Sequence, residues 1–243
     1  MPRLDVYLYR EGYARSRSLA GRLVRGGFVL VNGKKAEKCG LEIGEGDEVS
    51  LCESPELRYV SRGGLKLEAA LCEFGVSPEG KRCADIGAST GGFTDCLLQH
   101  GAEKVWAVDS GTDQLFPSLR ENERVISMES CNARFLDESK IAPVALVVMD
   151  VSFISQSLLY PAVAKILLPE GDFISLIKPQ FEVGRDKIGS GGIVRDEKSR
   201  LQVIEHLREL GKKHGLVMQG CVPSPITGGD GNVEYLAHWK KGK

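Results

Sequence analysis

The chain lacks the features of a membrane protein, a secreted disulfide scaffold or a metal site. In its 243 residues no apolar run approaches the roughly 18 residues that span a bilayer, so no membrane partner is expected. Asp5 stands where a secretory signal would be apolar, which predicts a cytoplasmic protein. The seven cysteines form no Cys-x-x-Cys pair and the four histidines are scattered, so neither a disulfide framework nor a metal is expected.

The charge is divided unevenly along the chain. Residues 1–40 hold nine Lys and Arg against three acids, a net charge of +6, whereas residues 41–243 hold 23 against 30, a net charge of −7. A basic module attached to an acidic body suggests a nucleic-acid partner. Because periodicity fades between Cys52 and Gly64, we expect an N-terminal domain with its linker over 1–57 and a larger domain over 58–243.

The basic module reads as two short helices, Arg3–Arg10 and Ser16–Arg25, followed by a hairpin that turns at Asn32-Gly33. At helical spacing, cationic side chains share one arc of the second helix and apolar side chains share the neighbouring arc. Such a face binds phosphates or is simply solvated; the lysines after the turn favour phosphate binding. The candidate RNA contacts are Arg3, Arg15, Arg17, Arg22, Arg25, Lys34 and Lys35.

The same segment resembles a known RNA-binding domain. Arg3-Leu-Asp-Val-Tyr-Leu, Ala14-Arg-Ser-Arg, Gly26-Gly-Phe-Val-Leu-Val-Asn-Gly-Lys and Gly44-Glu-Gly-Asp-Glu-Val are similar to the domain named after ribosomal protein S-four. The resemblance covers about residues 2–51. It implies binding to structured RNA through shape and backbone contacts.

The larger domain alternates apolar runs with helical stretches, which predicts an α/β fold, a Rossmann-like doubly wound parallel sheet. The helices include Thr94–His100 and Lys198–His214. The predicted strands are Lys81–Ile86, Lys104–Val108, Val125–Met128, Ala145–Met149 and Phe173–Ile177.

A glycine-rich turn follows the first of these strands, over Asp85–Asp95, and opens a helix. It matches neither a P-loop nor the Gly-x-Gly-x-x-Gly dinucleotide spacing. Asp109 ends the second strand, where an acid can accept ribose hydroxyls. The arrangement resembles the S-adenosylmethionine site of Rossmann-like methyltransferases. That resemblance places Asp109 on the ribose, Asn132 near adenine unless it is a plain turn residue, and near the methionine Asp85, Gly87, Ser89, Thr90, Gly91, Gly92 and Phe93.

Four further charged residues are expected where strand ends meet: Lys66, Asp150, Lys178 and Glu234. Each alone could be a solvated strand terminus, but charges that end apolar strands are costly unless paired. In this order they resemble the catalytic tetrad of the FtsJ-like RNA ribose 2′-O-methyltransferases. Lys178 would be the base or hydroxyl-activating group with Lys66 as a neighbouring cation, and Asp150 and Glu234 would orient the amines; no metal is needed.

The two resemblances together match the TlyA family. They imply 2′-O-methylation of cytidine in ribosomal RNA, with ribosomal RNA or a ribosomal subunit as partner; the short chain favours 23S RNA, with 16S RNA as a further substrate. The alternatives are a catalytically silent RNA-binding protein and, less favoured, the membrane-lysing hemolysin whose name the family often carries. The glycine-rich stretch 184–192, with Arg185 and Lys187, is either an RNA-contacting lid or a plain surface loop.

Overall fold

The structure is a computed structural model that describes residues 1–184, 188–228 and 231–242. The chain divides into two compact units, Met1–Tyr59 and Val60–Lys243. Across the described ranges, every helix is too short or too polar to cross a bilayer.

The N-terminal unit packs two helices against a small antiparallel sheet. Ser16 begins the second helix, as expected, because its hydroxyl accepts a hydrogen bond from the backbone N–H of Leu19 at 3.2 Å. Asn32 and Gly33 both have positive φ, 52° and 73°, which is the turn that a two-residue hairpin loop requires. The elements are α1 (Leu4–Arg10), α2 (Arg17–Arg25), β1 (Val29–Val31), β2 (Lys34–Lys35) and β3 (Val49–Leu51).

The larger unit is built around a seven-stranded sheet with helices packed against it. The strand order is β6-β5-β4-β7-β8-β10-β9, and the first five strands in this order are parallel. The α/β prediction is therefore confirmed. The strands are β4 (Arg82–Ile86), β5 (Lys104–Val108), β6 (Val125–Met128), β7 (Val144–Met149), β8 (Leu167–Ile177), β9 (Leu216–Pro223) and β10 (Tyr235–Lys241).

The sheet carries two strands, β10 and β9, beyond the five parallel strands that the sequence predicted. Strand β10 is antiparallel to both of its neighbours, β8 and β9. The chain between Pro223 and Tyr235 is too short for the helical crossover that a parallel strand needs, so the strand returns in the opposite direction. Tyr235 therefore pairs with Ile177, and the start of β10 lies beside the carboxyl end of β8.

The helices of the larger unit pack against the sheet, and one of them carries Lys66, a candidate site residue. Helix α3 follows the linker region and carries Lys66 in its first turns, so Lys66 is supplied by a helix and not by a strand end. Helix α4 approaches the start of α3 closely because Gly92 has no side chain: a Cβ at Gly92 would overlap the Ser61 hydroxyl. The helices are α3 (Gly63–Phe74), α4 (Gly92–Gln99), α5 (Pro117–Arg120), α6 (Tyr160–Ile166) and α7 (Glu197–Lys213).

Candidate active site

The candidate site lies at one edge of the seven-stranded sheet. Asp109, Asp150 and Lys178 directly follow β5, β7 and β8, whose carboxyl ends meet at this edge. Glu234 directly precedes β10, and because β10 is antiparallel its start lies at the same edge. Lys66 reaches the site from helix α3. The fold thus collects residues that are up to 168 positions apart.

The four tetrad residues form two ion pairs. Lys66 Nζ donates to Glu234 Oε2 at 2.5 Å, and these side chains are 10% and 4% exposed. Lys178 Nζ lies 2.6 Å from Asp150 Oδ1, and these side chains are 13% and 22% exposed. Each lysine thus forms an ion pair with one of the two carboxylates that were expected to orient the amines, and both lysines line one cavity. Each buried charge is compensated by its partner.

Two cavities open at this edge and share part of their lining. The larger cavity has a volume of about 510 Å³, within the range of small-molecule sites, and the smaller one has about 290 Å³. Their common lining is the place where the glycine-rich turn meets the loop after β7. It consists of Gly87, Ser89, Asp150 and Ser152.

The larger cavity combines apolar walls with polar groups at one end. Val108, Ile154 and Leu159 line it on the apolar side. Asp109 and Asn132 line it as well, which is where the sequence expected a ribose and an adenine. A lining that mixes apolar side chains with a few polar groups is typical of small-molecule and cofactor sites.

Backbone N–H groups hold the carboxylate of Asp109 in place. Oδ2 accepts from Ser89 N at 2.8 Å, and Oδ1 accepts from Gly111 N at 2.7 Å. The acid is thereby tied to the glycine-rich turn on one side and to the loop after β5 on the other. Each oxygen keeps a second lone pair for a ligand hydroxyl.

The glycine-rich turn requires glycine at its first position. Gly87 has a φ of 86°, and a Cβ there would overlap the carbonyl oxygen of Asp150. The absence of a side chain lets the turn after β4 touch the end of β7. Thr90, Gly92 and Phe93 line the smaller cavity, whereas Gly91 begins helix α4 and packs against Leu119 and Leu115.

Asp85 lies beneath the turn rather than in a cavity. Its side chain is fully buried, its Oδ2 accepts from Thr94 Oγ1 at 2.7 Å, and its Oδ1 has no partner among the described residues. Neither cavity has Asp85 in its lining, so the carboxylate that was expected near the methionine lies outside both cavities. Burial raises the pKa of Asp85 to about 7, and the Thr94 hydroxyl offsets only part of that effect.

Positive charge dominates the lining of the smaller cavity. Arg62, Lys66 and Lys178 face it, and Asp150 is the acidic residue in its lining. Lys178 also donates to Ser152 Oγ at 2.8 Å. A compact cavity with this charge suits a ribose that carries phosphates.

Asn132 and its neighbours form part of the rim of the larger cavity. The Asn132 side chain caps a short 3-10 helix, Ala133–Phe135, by accepting from Arg134 N at 3.1 Å. Asn132 is exposed and lines the cavity, so it serves the turn and still faces the space where the adenine edge is expected.

Ser152 and Phe153 are site residues to which sequence reasoning gave no role. Ser152 lines both cavities, and Phe153 lines the larger one with 91% of its surface exposed and a φ of 64°. Its ring packs on Phe181 at 5.1 Å between centroids. An aromatic residue three positions after a charged strand end is the sequence signal that could have identified Phe153.

In the N-terminal unit, several of the expected RNA contacts also bond within the unit. Arg3 and Arg17 each lie 3.0 Å from Asp5, and Arg22 lies 2.8 Å from Glu56. Arg15 donates to the carbonyl oxygen of Tyr59 at 2.5 Å, and Arg25 contacts Cys39 Sγ at 3.8 Å. Lys34 and Lys35 form the exposed strand β2. A guanidinium has five donors, so these internal bonds leave capacity for phosphate.

Two further sequence features concern metal binding and the glycine-rich stretch 184–192. Within residues 1–184, 188–228 and 231–242, no group of three or more His, Cys, Asp or Glu side chains is arranged to hold a metal ion. Arg185 and Lys187 of the glycine-rich stretch lie outside the described residues.

Comparison with known proteins yields two family matches. The FtsJ-like methyltransferase model matches residues 59–241, and the S4 domain model matches residues 2–49. These are the two families that the motifs resembled.

Similar proteins span nearly the whole chain. YqxC of Bacillus subtilis, a candidate rRNA methyltransferase, is 46% identical over 97% of this chain and 84% of its own length. TlyA of Mycobacterium tuberculosis, named as a 16S/23S rRNA (cytidine-2′-O)-methyltransferase, is 41% identical over 96% of this chain and 88% of its own length. TlyA of Campylobacter jejuni, named as a 23S rRNA (cytidine-2′-O)-methyltransferase, is 40% identical over 75% of this chain and 71% of its own length.

Solved structures agree on the fold. A candidate hemolysin from Streptococcus thermophilus is 46% identical and has a TM-score of 0.79, covering 100% of this chain and 89% of that one. Aeropyrum pernix fibrillarin, solved with S-adenosyl-L-methionine, has a TM-score of 0.51 at 15% identity, covering 72% of this chain and 74% of that one; the likeness concerns the fold alone.

Proposed function

Because the chain belongs to the FtsJ-like methyltransferase family, we propose that it transfers a methyl group to the ribose 2′-oxygen of a cytidine in 23S ribosomal RNA. The single observation that carries the proposal is the junction of the two cavities beside the Lys178–Asp150 ion pair. A nucleoside-sized slot and a cationic cavity that share one wall suit a methyl donor and an acceptor ribose.

The larger cavity fits S-adenosylmethionine. Asp109, anchored by two backbone N–H groups, would accept the ribose hydroxyls, and Asn132 would face the adenine edge. The close approach of Gly87 to Asp150 would bring the methionine end to the shared wall. When bound, the cofactor supplies an electrophilic methyl group on its sulfonium. Asp109→Ala is expected to weaken cofactor binding, measured by isothermal titration calorimetry.

The smaller cavity would hold the acceptor ribose. Arg62 and Lys66 would attract the phosphates, while Glu234 holds the Lys66 ammonium in place. Phe153 would offer its exposed ring for stacking with the target base. The N-terminal unit would bind the surrounding RNA through its basic residues, so we assign targeting to residues 1–57 and chemistry to residues 58–243.

Lys178 would activate the ribose hydroxyl, which is a poor nucleophile at neutral pH. It does so either as the base that takes up the proton or as the cation that stabilises the oxygen as the proton leaves. Asp150 at 2.6 Å and Ser152 at 2.8 Å fix the position of its Nζ. Arginine keeps the charge but cannot accept a proton, so Lys178→Arg separates the two roles.

The test is transfer of labelled methyl from S-adenosylmethionine to purified large and small ribosomal subunits and to naked 23S and 16S RNA. The wild type is compared with Lys178→Ala and with Lys212→Ala, whose lysine is exposed on α7. The proposal expects label on a cytidine 2′-oxygen of 23S RNA, retained in Lys212→Ala and lost in Lys178→Ala. Label on 16S RNA would widen the substrate range.

Two other results would contradict the proposal. Cofactor binding without transfer to any ribosomal RNA would favour a silent RNA-binding protein. Dye leakage from lipid vesicles in the absence of transfer would favour the lytic activity that the name of the Streptococcus thermophilus protein suggests.

A further inference from the structure

Two loops that carry site residues are joined to each other at the edge of the sheet. The first follows β7 and carries Asp150, Ser152 and Phe153; the second follows β8 and carries Lys178 and continues to Glu182. Strands β7 and β8 are parallel neighbours, so both loops leave the sheet at the same edge. The contacts follow the same order along both loops: Asp150 forms an ion pair with Lys178, and further along Phe153 packs on Phe181.

Glu182 makes the contacts that lie furthest along the two loops from the ends of the strands, and it uses both carboxylate oxygens. Oε2 accepts from Ser155 Oγ at 2.6 Å, and Oε1 accepts from the backbone N–H of Gln156 at 2.9 Å. Ser155 itself caps the short 3-10 helix Gln156–Leu159. Gln156 is 2% exposed, so the anchoring point is inside the protein. Burial raises the pKa of Glu182, and the two hydrogen bonds offset only part of that effect.

The loop after β7 needs such an anchor because its conformation is strained. Phe153 has a φ of 64°, a region that a bulky side chain adopts only under strain and keeps only when its surroundings enforce it. Phe153 is 91% exposed as a residue, so its burial supplies little of that enforcement. The restraint must come from the residues on either side. Before Phe153 it is the bond of Ser152 to Lys178, and after it the bonds of Ser155 and Gln156 to Glu182.

We propose that Glu182 is a positioning residue that holds residues 152–156 in this strained conformation and thereby fixes Ser152 and Phe153 at the cavities. Without the Glu182 carboxylate, Phe153 relaxes to negative φ, Ser152 leaves the Lys178 amine, and the amine loses one of the two groups that orient it. Asp109 is held by the backbone N–H groups of Ser89 and Gly111, so its own position stays unchanged when the loop moves. The catalytic consequence rests on the proposed function, whereas the restraint on the loop does not.

The test uses the full-length chain with Glu182→Ala and Glu182→Gln. Two readouts are measured: steady-state methyl transfer with cofactor binding, and peptide-level hydrogen exchange of residues 152–157. For Glu182→Ala we expect kcat at saturating cofactor to fall about ten- to a hundredfold, as for a misplaced catalytic group. The cofactor Kd should rise less than kcat falls, because Asp109 keeps its backbone hydrogen bonds while Phe153 and Ile154 belong to the lining of the larger cavity. Exchange should rise in 152–157 while β7 stays protected. Glu182→Gln should recover part of kcat, because its amide oxygen can still accept one bond.

Matched variants complete the design. Ser155→Ala removes one of the two bonds to Glu182 and should give a smaller effect of the same kind. Glu205→Ala, an exposed acid on α7, should change neither readout. If Glu182→Ala does not fold, Glu182→Gln and Ser155→Ala carry the test.

The outcomes separate the two proposals. Unchanged exchange in 152–157 would overturn the positioning role, whatever happens to activity. Raised exchange with unchanged kcat would also overturn it, since the loop would then be free without consequence for the chemistry. Raised exchange in a protein whose wild type methylates no ribosomal RNA would support the restraint and contradict the proposed function instead.

Discussion

The Lys66–Glu234 ion pair allows the stability and the chemistry of the site to be separated. Both side chains are buried, at 10% and 4% exposure, and their atoms are 2.5 Å apart. Glu234→Gln leaves the Lys66 ammonium buried without a counter-charge. Breaking a buried pair in this way costs about 3–5 kcal/mol of folding free energy. With a urea dependence of about 2 kcal/mol per molar, the unfolding midpoint should fall by roughly 1.5–2.5 M.

The double variant Lys66→Met with Glu234→Leu removes both charges and keeps similar volumes. Apolar replacement of a whole buried pair is close to neutral, so we expect its unfolding free energy to lie within about 1 kcal/mol of the wild type. Its methyl-transfer activity should nevertheless be lost, because the two replaced residues are half of the proposed tetrad. Restored stability with lost activity would separate the structural role of the pair from its chemical role.

Urea unfolding followed by tryptophan fluorescence measures this effect. The chain has two tryptophans, Trp106 on β5 and Trp239 on β10, and both are buried in the unit that holds the pair. Lys212→Met on the exposed face of α7 serves as the control. The reasoning would be refuted if the midpoint of Glu234→Gln stayed within about 0.3 M of the wild type, or if the double variant were as unstable as the single one.

Three further predictions concern titration and RNA binding. Burial raises the pKa of Asp85 to about 7. As the pH rises from about 4 to 7, the carboxyl ionises in the unfolded chain before it ionises in the folded one, so the wild type should lose stability. Urea midpoints at pH 5 and 8 should show a smaller loss for Asp85→Asn than for the wild type. Burial opposes ionisation of Asp172, but hydrogen bonds from His238 and Lys240 outweigh it and lower its pKa to about 2. Stability should therefore fall as the pH drops from about 4 to 2, and Asp172→Asn should lack that decline in an acid titration followed by circular dichroism. The double charge reversal Lys34→Glu and Lys35→Glu should weaken RNA binding and reduce its salt dependence, measured by filter binding, while leaving cofactor affinity unchanged; an unaltered RNA Kd would contradict a targeting role for this strand.

Local signals in the sequence predicted many elements at or near their true bounds. Strands Lys104–Val108 and Val125–Met128 lie where their apolar runs predicted them. The first is buried except at Lys104, and a buried parallel strand needs apolar residues on both faces; the second is the half-buried edge strand. Ser16 and the Asn32-Gly33 turn were predicted because capping and hairpin turns depend on neighbouring residues alone. Strand β10 was not predicted, and its antiparallel direction depends on the length of the preceding connection and on the free edge of β8.

The amino-acid sequence by itself determined the two families and the α/β class, and it singled out the four residues that we propose as the tetrad, because motifs and periodicity are properties of the chain. Tertiary structure alone decided which charges meet. Lys66 pairs with Glu234 and Lys178 with Asp150 because an antiparallel strand and a helix bring distant residues to one edge of the sheet. The burial of Asp85 beneath the turn and the strained exposure of Phe153 were likewise set by packing. Such features depend on which groups lose water and which backbone angles neighbours enforce, and residue spacing along the chain does not encode either directly.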